Sequence, residues 1–166
     1  PGHPGNYGTK GVPASAAAPP CRHSAVSWTA ASGSLSLFGG NGWPVSPGGE
    51  LTDLWQWDGT NWTWMGGPDS ASQPGSYGTK GVAASSNWPG ARSDAAAWRD
   101  ASGGFWLLGG LGLGASASPA GRLNDVWKWD GSTWTWIGGS DQQYAHGLYG
   151  TKGVADPSNQ PGARYG

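Results

Sequence analysis

The sequence predicts an all-β chain made of two copies of a small four-stranded antiparallel sheet. Three observations carry that expectation. Residues 51–67 (LTDLWQWDGTNWTWMGG) return as residues 123–139 (LNDVWKWDGSTWTWIGG), each copy holding four tryptophans in a ten-residue span. The pairs Trp55/Trp57, Trp62/Trp64, Trp127/Trp129 and Trp134/Trp136 are two residues apart, the spacing that puts side chains on one face of a strand. Asp58-Gly59 and Asp130-Gly131 lie between the pairs and supply the positive φ that a hairpin turn needs. Helix is not expected anywhere, because no 3.6-residue periodicity persists and glycine interrupts every candidate.

The rest of the repeat follows from offsets. YGTKGV occurs at 7–12, 77–82 and 149–154, offsets of 70 and 72. Arg22, Trp28 and Gly39-Gly40 recur 70 residues later, and Asp53 through Trp64 recur 72 later, so length varies only between 41–50 and 111–122. Residues 22–29 (RHSAVSWT) and 92–99 (RSDAAAWR) read as a first strand. Residues 34–38 (SLSLF) and 104–108 (GFWLL) read as a second, closed by a Gly-Gly pair after an Ala-Ser-Gly turn at 31–33 and 101–103. A variable Gly/Pro/Ser-rich loop follows, and the Trp-rich hairpin supplies strands three and four. The division expected is a linker (1–19), unit one (20–67), a linker (68–89), unit two (90–139), and a linker with the start of a third repeat (140–166).

Composition narrows the function classes. Gly 32 and Pro 13 approach the composition where disorder becomes the default, but 13 tryptophans argue for a core of few, large side chains. A net charge of −1 with 11% charged residues leaves no basic footprint for nucleic acid. No apolar run approaches the ~20 residues of a membrane span. The opening PGHPGNYGTKGV lacks a signal-peptide pattern and a methionine, so a mature, processed or excerpted sequence is expected. One cysteine permits no internal disulfide. Low charge with abundant Gly, Ser, Thr and Trp fits a secreted or cell-surface bacterial β protein.

The order Arg, Gly-Gly, aromatic, Trp, in FGG…LTDLWQWD…NWTW and LGG…RLNDVWKWD…TWTW, resembles the kelch repeat over roughly 20–67 and 90–139. The resemblance implies β-propeller blades, with Gly39, Gly40, Trp57 and Trp62, then Gly109, Gly110, Trp129 and Trp134, as the blade cores. Trp stands where tyrosine is usual on strand three, and the linkers are longer than in typical kelch arrays. They are similar to those of bacterial extracellular kelch-like arrays, with PGAR opening a blade at 89–92 and 161–164 and a degraded PPCR at 19–22. Two blades leave the ring incomplete within this chain. Its expected partners are therefore further copies of the repeat, in a longer chain or in neighbouring chains, which would cover the open blade faces.

Little in the sequence invites catalysis. Asp53/Asp58 and Asp125/Asp130 could suggest a pair of glycosidase carboxylates, but Asp58 and Asp130 read as turn residues and the sets are identical, whereas acid/base pairs need unlike environments. His3, His23 and His146 do not recur at ligand spacing, and no metal or cofactor is expected. Cys21 aligns with Ala91 and Ala163 and reads as a small buried residue. Arg22, Arg92 and Arg164 read as an ion pair or carbonyl clamp tying linker to blade, with Asp58 and Asp130 as candidate partners. YGTKGV reads first as a segment docked on an equivalent blade surface, adding an edge strand. Its alternative is a set of repeated ligand sites offering Tyr77, Lys80, Tyr149 and Lys152. Trp43 and Trp88, which lack counterparts, are candidate contacts for a glycan or surface protein. The expected role is a non-enzymatic binding or scaffold module. The alternatives are a subunit of an extracellular ring or filament, and a fragment of a carbohydrate-active propeller enzyme.

Overall fold

The computed structural model describes residues 3–30, 32–44 and 47–166; Ala31 of the first Ala-Ser-Gly turn and positions 45–46 of the first variable loop lie outside them. Every regular element among these residues is a β-strand, and every pairing is antiparallel. Unit one comprises β1 (Arg22–His23), β2 (Val26–Thr29), β3 (Leu35–Phe38), β4 (Asn41–Gly42), β5 (Gly49–Glu50), β6 (Leu54–Trp57) and β7 (Trp62–Gly66). Unit two comprises β8 (Arg92–Ser93), β9 (Ala96–Arg99), β10 (Phe105–Gly112), β11 (Gly121–Trp129) and β12 (Trp134–Gly138). No helix of the described residues is long and apolar enough to cross a membrane.

Each expected strand one is broken in two. Ser24 and Asp94 take positive φ values of 55° and 51°, so the chain kinks between β1 and β2 and between β8 and β9. In unit two both halves still pair with the long β10, giving one five-stranded sheet. In unit one the inner strands form a four-stranded sheet, β2-β3-β6-β7, and the outer pieces a separate three-stranded one, β1-β4-β5. The Gly-Gly pair closes strand two in unit one, where β3 ends at Phe38, but not in unit two. In unit two β10 runs through Gly109-Gly110 with a register shift between Leu108 and Gly110. Gly110, at φ 105°, also brings the chain so close to β8 that a Cβ there would lie 2.7 Å from the Ser93 carbonyl oxygen. The variable loop is a hairpin extension, since Gly42 pairs with Gly49 and Gly112 with Gly121.

The Trp-rich hairpin forms as the pattern predicts. Trp57 pairs with Trp62 and Trp129 with Trp134, and their rings lie 5.5 and 5.3 Å apart. Gly59 and Gly131 supply the positive φ, at 104° and 107°. The connection spans four residues, with the Asp58 carboxylate accepting from the Thr60 and Asn61 N–H groups.

The two units stack through unlike faces. Unit two turns its tryptophan face toward unit one, where Phe105 stacks on Trp28 at 3.5 Å and Trp134 packs 5.3 Å from Phe38. The core cluster accordingly spans both units and takes in Tyr77 from the linker. Trp134 is fully buried, whereas its counterpart Trp62, on the open face of unit one, is half-buried. Unit two's own open face carries Trp98, 45% exposed and stacked on Trp106.

Candidate functional site

Each unit gathers one buried carboxylate on which the linker converges. Asp125 lies two residues before Trp127 on β11, so strand alternation puts both side chains on one face, and the indole N–H donates to Asp125 Oδ2 at 2.7 Å. Arg92, at the start of strand one, grips the same carboxylate in a bidentate fork, Nη1 to Oδ1 and Nη2 to Oδ2 at 2.7 Å each. Its remaining donors reach Gly109 O at 2.9 Å and Gly90 O at 3.0 Å. The Tyr77 hydroxyl completes the set by donating to Asp125 Oδ2 at 2.7 Å. Unit one repeats the arrangement around Asp53, with Arg22 at 2.6 Å twice, Tyr7 at 2.8 Å and Trp55 at 2.7 Å. The arginines thus pair with Asp53 and Asp125, not with the turn residues Asp58 and Asp130.

The electrostatics of the site follow from burial and from the paired charges. Burial, then the negative charge of Asp125, pushes the Tyr77 phenol far above its ordinary value, and burial with Asp53 does the same to Tyr7. Burial opposes the Arg92 charge, but the Asp125 carboxylate and Tyr77 outweigh it and hold the guanidinium above its usual range. Four donors fill each carboxylate. The turn aspartates serve local structure. Backbone N–H groups of Asn61 and Thr60 hold Asp58 below the carboxylate range. Against slight burial, Thr133 and Ser132 hold Asp130 down to about 2.

YGTKGV docks as an edge segment on the unit that follows it. Tyr77 sits between Trp127 and Trp136, at 4.8 and 5.1 Å, and Tyr7 sits equally between Trp55 and Trp64. Lys80 lies 4.4 Å over the Trp136 ring and donates to Gly139 O; Lys10 lies 4.4 Å over Trp64. Gly81 N donates to Trp136 O, and Ala84 bridges Trp134 as Ala14 bridges Trp62. These contacts occupy Tyr77 and Lys80. Tyr149 and Lys152 stand apart: Tyr149 is 72% exposed and Lys152 is exposed, with no hydrogen bond among the described residues.

Of the two unmatched tryptophans, Trp88 is committed to the fold. Its indole N–H donates to Thr52 O at 2.6 Å, and its ring packs edge-on against Trp129 and Trp134. It also flanks a groove of about 460 Å³ between the units, lined in addition by Lys10, Met65, Ser85 and Trp129. Trp43, 50% exposed, stands at the tip of the unit-one hairpin extension. Cys21 is exposed rather than buried, whereas its counterpart Ala91 in unit two is fully buried. Among the described residues no three His, Cys, Asp or Glu side chains gather as a metal site. The residue sequence reasoning undervalued is Asp53/Asp125; its place two residues before a buried Trp was the available signal. No family model, curated protein or solved structure matches the chain.

Proposed function

We propose that the chain is a non-enzymatic, kelch-like repeat module, displayed outside the cell, in which propeller-type blades are held in register as a binding or scaffold element. The observation that supports this most directly is the fourfold tie of Arg, Asp, Tyr and Trp, made with the same geometry in both units. The repeated charged residues serve the joint between linker and blade. Surfaces left free among the described residues include the variable hairpin tip with Trp43 and the groove flanked by Lys10, Trp88 and Trp129, where an aromatic ring and a cation together suit a sugar face or an acidic partner. Blade stacking supports the scaffold half of the reading, since Trp28, Phe38, Phe105 and Trp134 form a shared core.

A glycan array and a screen against bacterial surface polysaccharides test the binding half. Binding by the parent chain, lost in Trp43→Ala with the unfolding midpoint unchanged, is the expected result. Retention of full binding by this variant would move the ligand off the hairpin tip. Turnover of any bound glycan, abolished in Asp53→Asn or Asp125→Asn proteins that remain folded, would overturn the non-enzymatic reading.

A further inference from the structure

The two units differ in the middle of an otherwise repeated face. On unit one Trp28, Ser36 and Gln56 lie abreast on β2, β3 and β6, since Trp28 pairs with Ser36 and Ser36 with Gln56. On unit two the same row is Trp98, Trp106 and Lys128, abreast on β9, β10 and β11. That row is full: Trp106 stacks on Trp98 at 5.9 Å, and Lys128 Nζ lies 5.0 Å over the Trp106 ring. In unit one a hydroxyl and a carboxamide stand in the places of that indole and ammonium, and unit two lies across them.

The stacked interface consequently holds a cavity of about 120 Å³. Ser36 and Gln56 line it from unit one, and Trp28, Phe105 and Trp129 are its aromatic walls. Protein interiors are otherwise close-packed, and this space is room for about four waters at ~30 Å³ each. Ser36 is buried, and neither its hydroxyl nor the Gln56 amide makes a hydrogen bond among the described residues. Buried polar groups are nearly always satisfied, so both side chains need partners inside the cavity. Met65 and Trp129 also line the larger groove beside Trp88, so the cavity adjoins a surface opening.

We propose that this cavity seats one neutral sugar ring, at a site separate from the hairpin tip and beyond the binding reading above. A hydroxyl and a carboxamide each donate and accept, as sugar hydroxyls do, so Ser36 and Gln56 match a ring that offers both. The aromatic walls suit the C–H face of the same ring. Charge decides against an anionic sugar. Among the described residues no Lys or Arg lines the cavity, whereas the Asp130 carboxylate does. That carboxylate is already occupied by the N–H and hydroxyl groups of Ser132 and Thr133, which leaves it a poor seat for a cation. Size decides against a polymer. The volume is well below the ~300–1,000 Å³ of pockets for drug-sized ligands, so the occupant is a single ring rather than a chain.

The test uses the full chain, with glucose, galactose and N-acetylglucosamine as neutral probes and galacturonate as the anionic one. Each is titrated to about 10 mM and followed through the indole N–H signals by NMR. The parent should saturate with at least one neutral sugar, moving the Trp28 and Trp129 signals and leaving that of Trp43 in place. Gln56→Leu removes the amide and keeps most of the side-chain volume. It should weaken binding at least about tenfold without lowering the unfolding midpoint, because the amide has no protein partner to lose. Ser36→Val, which loses the hydroxyl and narrows the cavity, should weaken binding likewise, and it replaces the leucine variant should that one unfold. Trp43→Ala should bind these sugars as the parent does. Binding of no neutral sugar, binding undiminished in both Gln56→Leu and Ser36→Val, or tighter binding of galacturonate than of galactose each overturns the proposal. None of these results touches Trp43-dependent binding of arrayed glycans, so failure here is distinct from failure of the binding reading.

Discussion

Asp125→Asn tests whether the buried tie holds the fold. The substitution is close to isosteric, yet it strands the Arg92 guanidinium, whose side chain is 1% exposed, without a counter-charge. It also turns an amide N–H₂ toward a group of donors: two guanidinium nitrogens, the Tyr77 hydroxyl and the Trp127 indole, all at 2.7 Å. Breaking a buried pair by removing one partner costs about 3–5 kcal/mol, a large share of a total stability of about 5–15 kcal/mol. With a urea m-value of about 2 kcal/mol/M, the midpoint of tryptophan-monitored unfolding should fall by about 2 M. Asp53→Asn should lose less, because the Arg22 side chain is 5% exposed and water reaches it sooner. In a double-mutant cycle with Arg92→Met, the stranded cation disappears along with its partner, and a coupling of at least about 2 kcal/mol is expected. A loss below about 1 kcal/mol for Asp125→Asn, or additive single effects, would show that the tie is incidental to stability.

Three further outcomes follow from the geometry. Trp134→Ala should cost about 3–5 kcal/mol in chemical denaturation, because that ring is fully buried among Phe38, Trp88, Phe105 and Trp129, whereas Trp62→Ala, on the open face, should cost about half as much. Tyr77 is neutral in the fold and titrates near pH 10 once unfolded, so above about pH 10 the unfolded chain binds fewer protons and stability falls as pH rises. The slope from this residue is up to about 1.4 kcal/mol per pH unit, is absent below pH ~9, and should vanish from the alkaline limb in Tyr77→Phe. Gly110→Ala should destabilise by more than about 2 kcal/mol by combining φ 105° with a Cβ contact at 2.7 Å to Ser93 O, while Gly131→Ala, with similar φ and open space, should show only the backbone strain of about 1–2 kcal/mol; equal melting shifts would refute the distinction.

The strands were legible because their signals are local. Alternating tryptophans and a D-G turn act over ten residues, and the offsets of 70 and 72 fixed the remaining landmarks. The tie was not, because it joins Arg22 to Asp53 across 31 residues and spacing alone could not separate Asp53 from Asp58. Both aspartates recur once per unit; only burial divides them, one facing indoles and the other capping a turn. The kinks at Ser24 and Asp94 were equally hidden, since neither residue type announces a positive φ inside a strand-like run. Cys21 is exposed although its counterpart Ala91 is buried, and alignment of repeats alone could not separate the two.

The pattern of constant and variable lengths has a physical cause in the linker. Residues 76–88 lie against unit two, through Tyr77 on Asp125 and Asn87 on Trp134 O. Immediately afterwards the chain is fastened to unit one, by the Trp88 N–H on Thr52 O, by Thr52 Oγ1 on Pro89 O and by Arg92 N on Leu51 O. One segment therefore staples two consecutive units, and its two sets of anchors stand a fixed distance apart. Inserting a residue between Tyr77 and Arg92 would force one set of anchors to let go. The hairpin extensions at 41–50 and 111–122 reach outward from the sheets, and the two-residue difference falls there. The repeat that folds is accordingly offset from the repeat that is read. Each linker is structurally the start of the unit after it and the clasp of the unit before it.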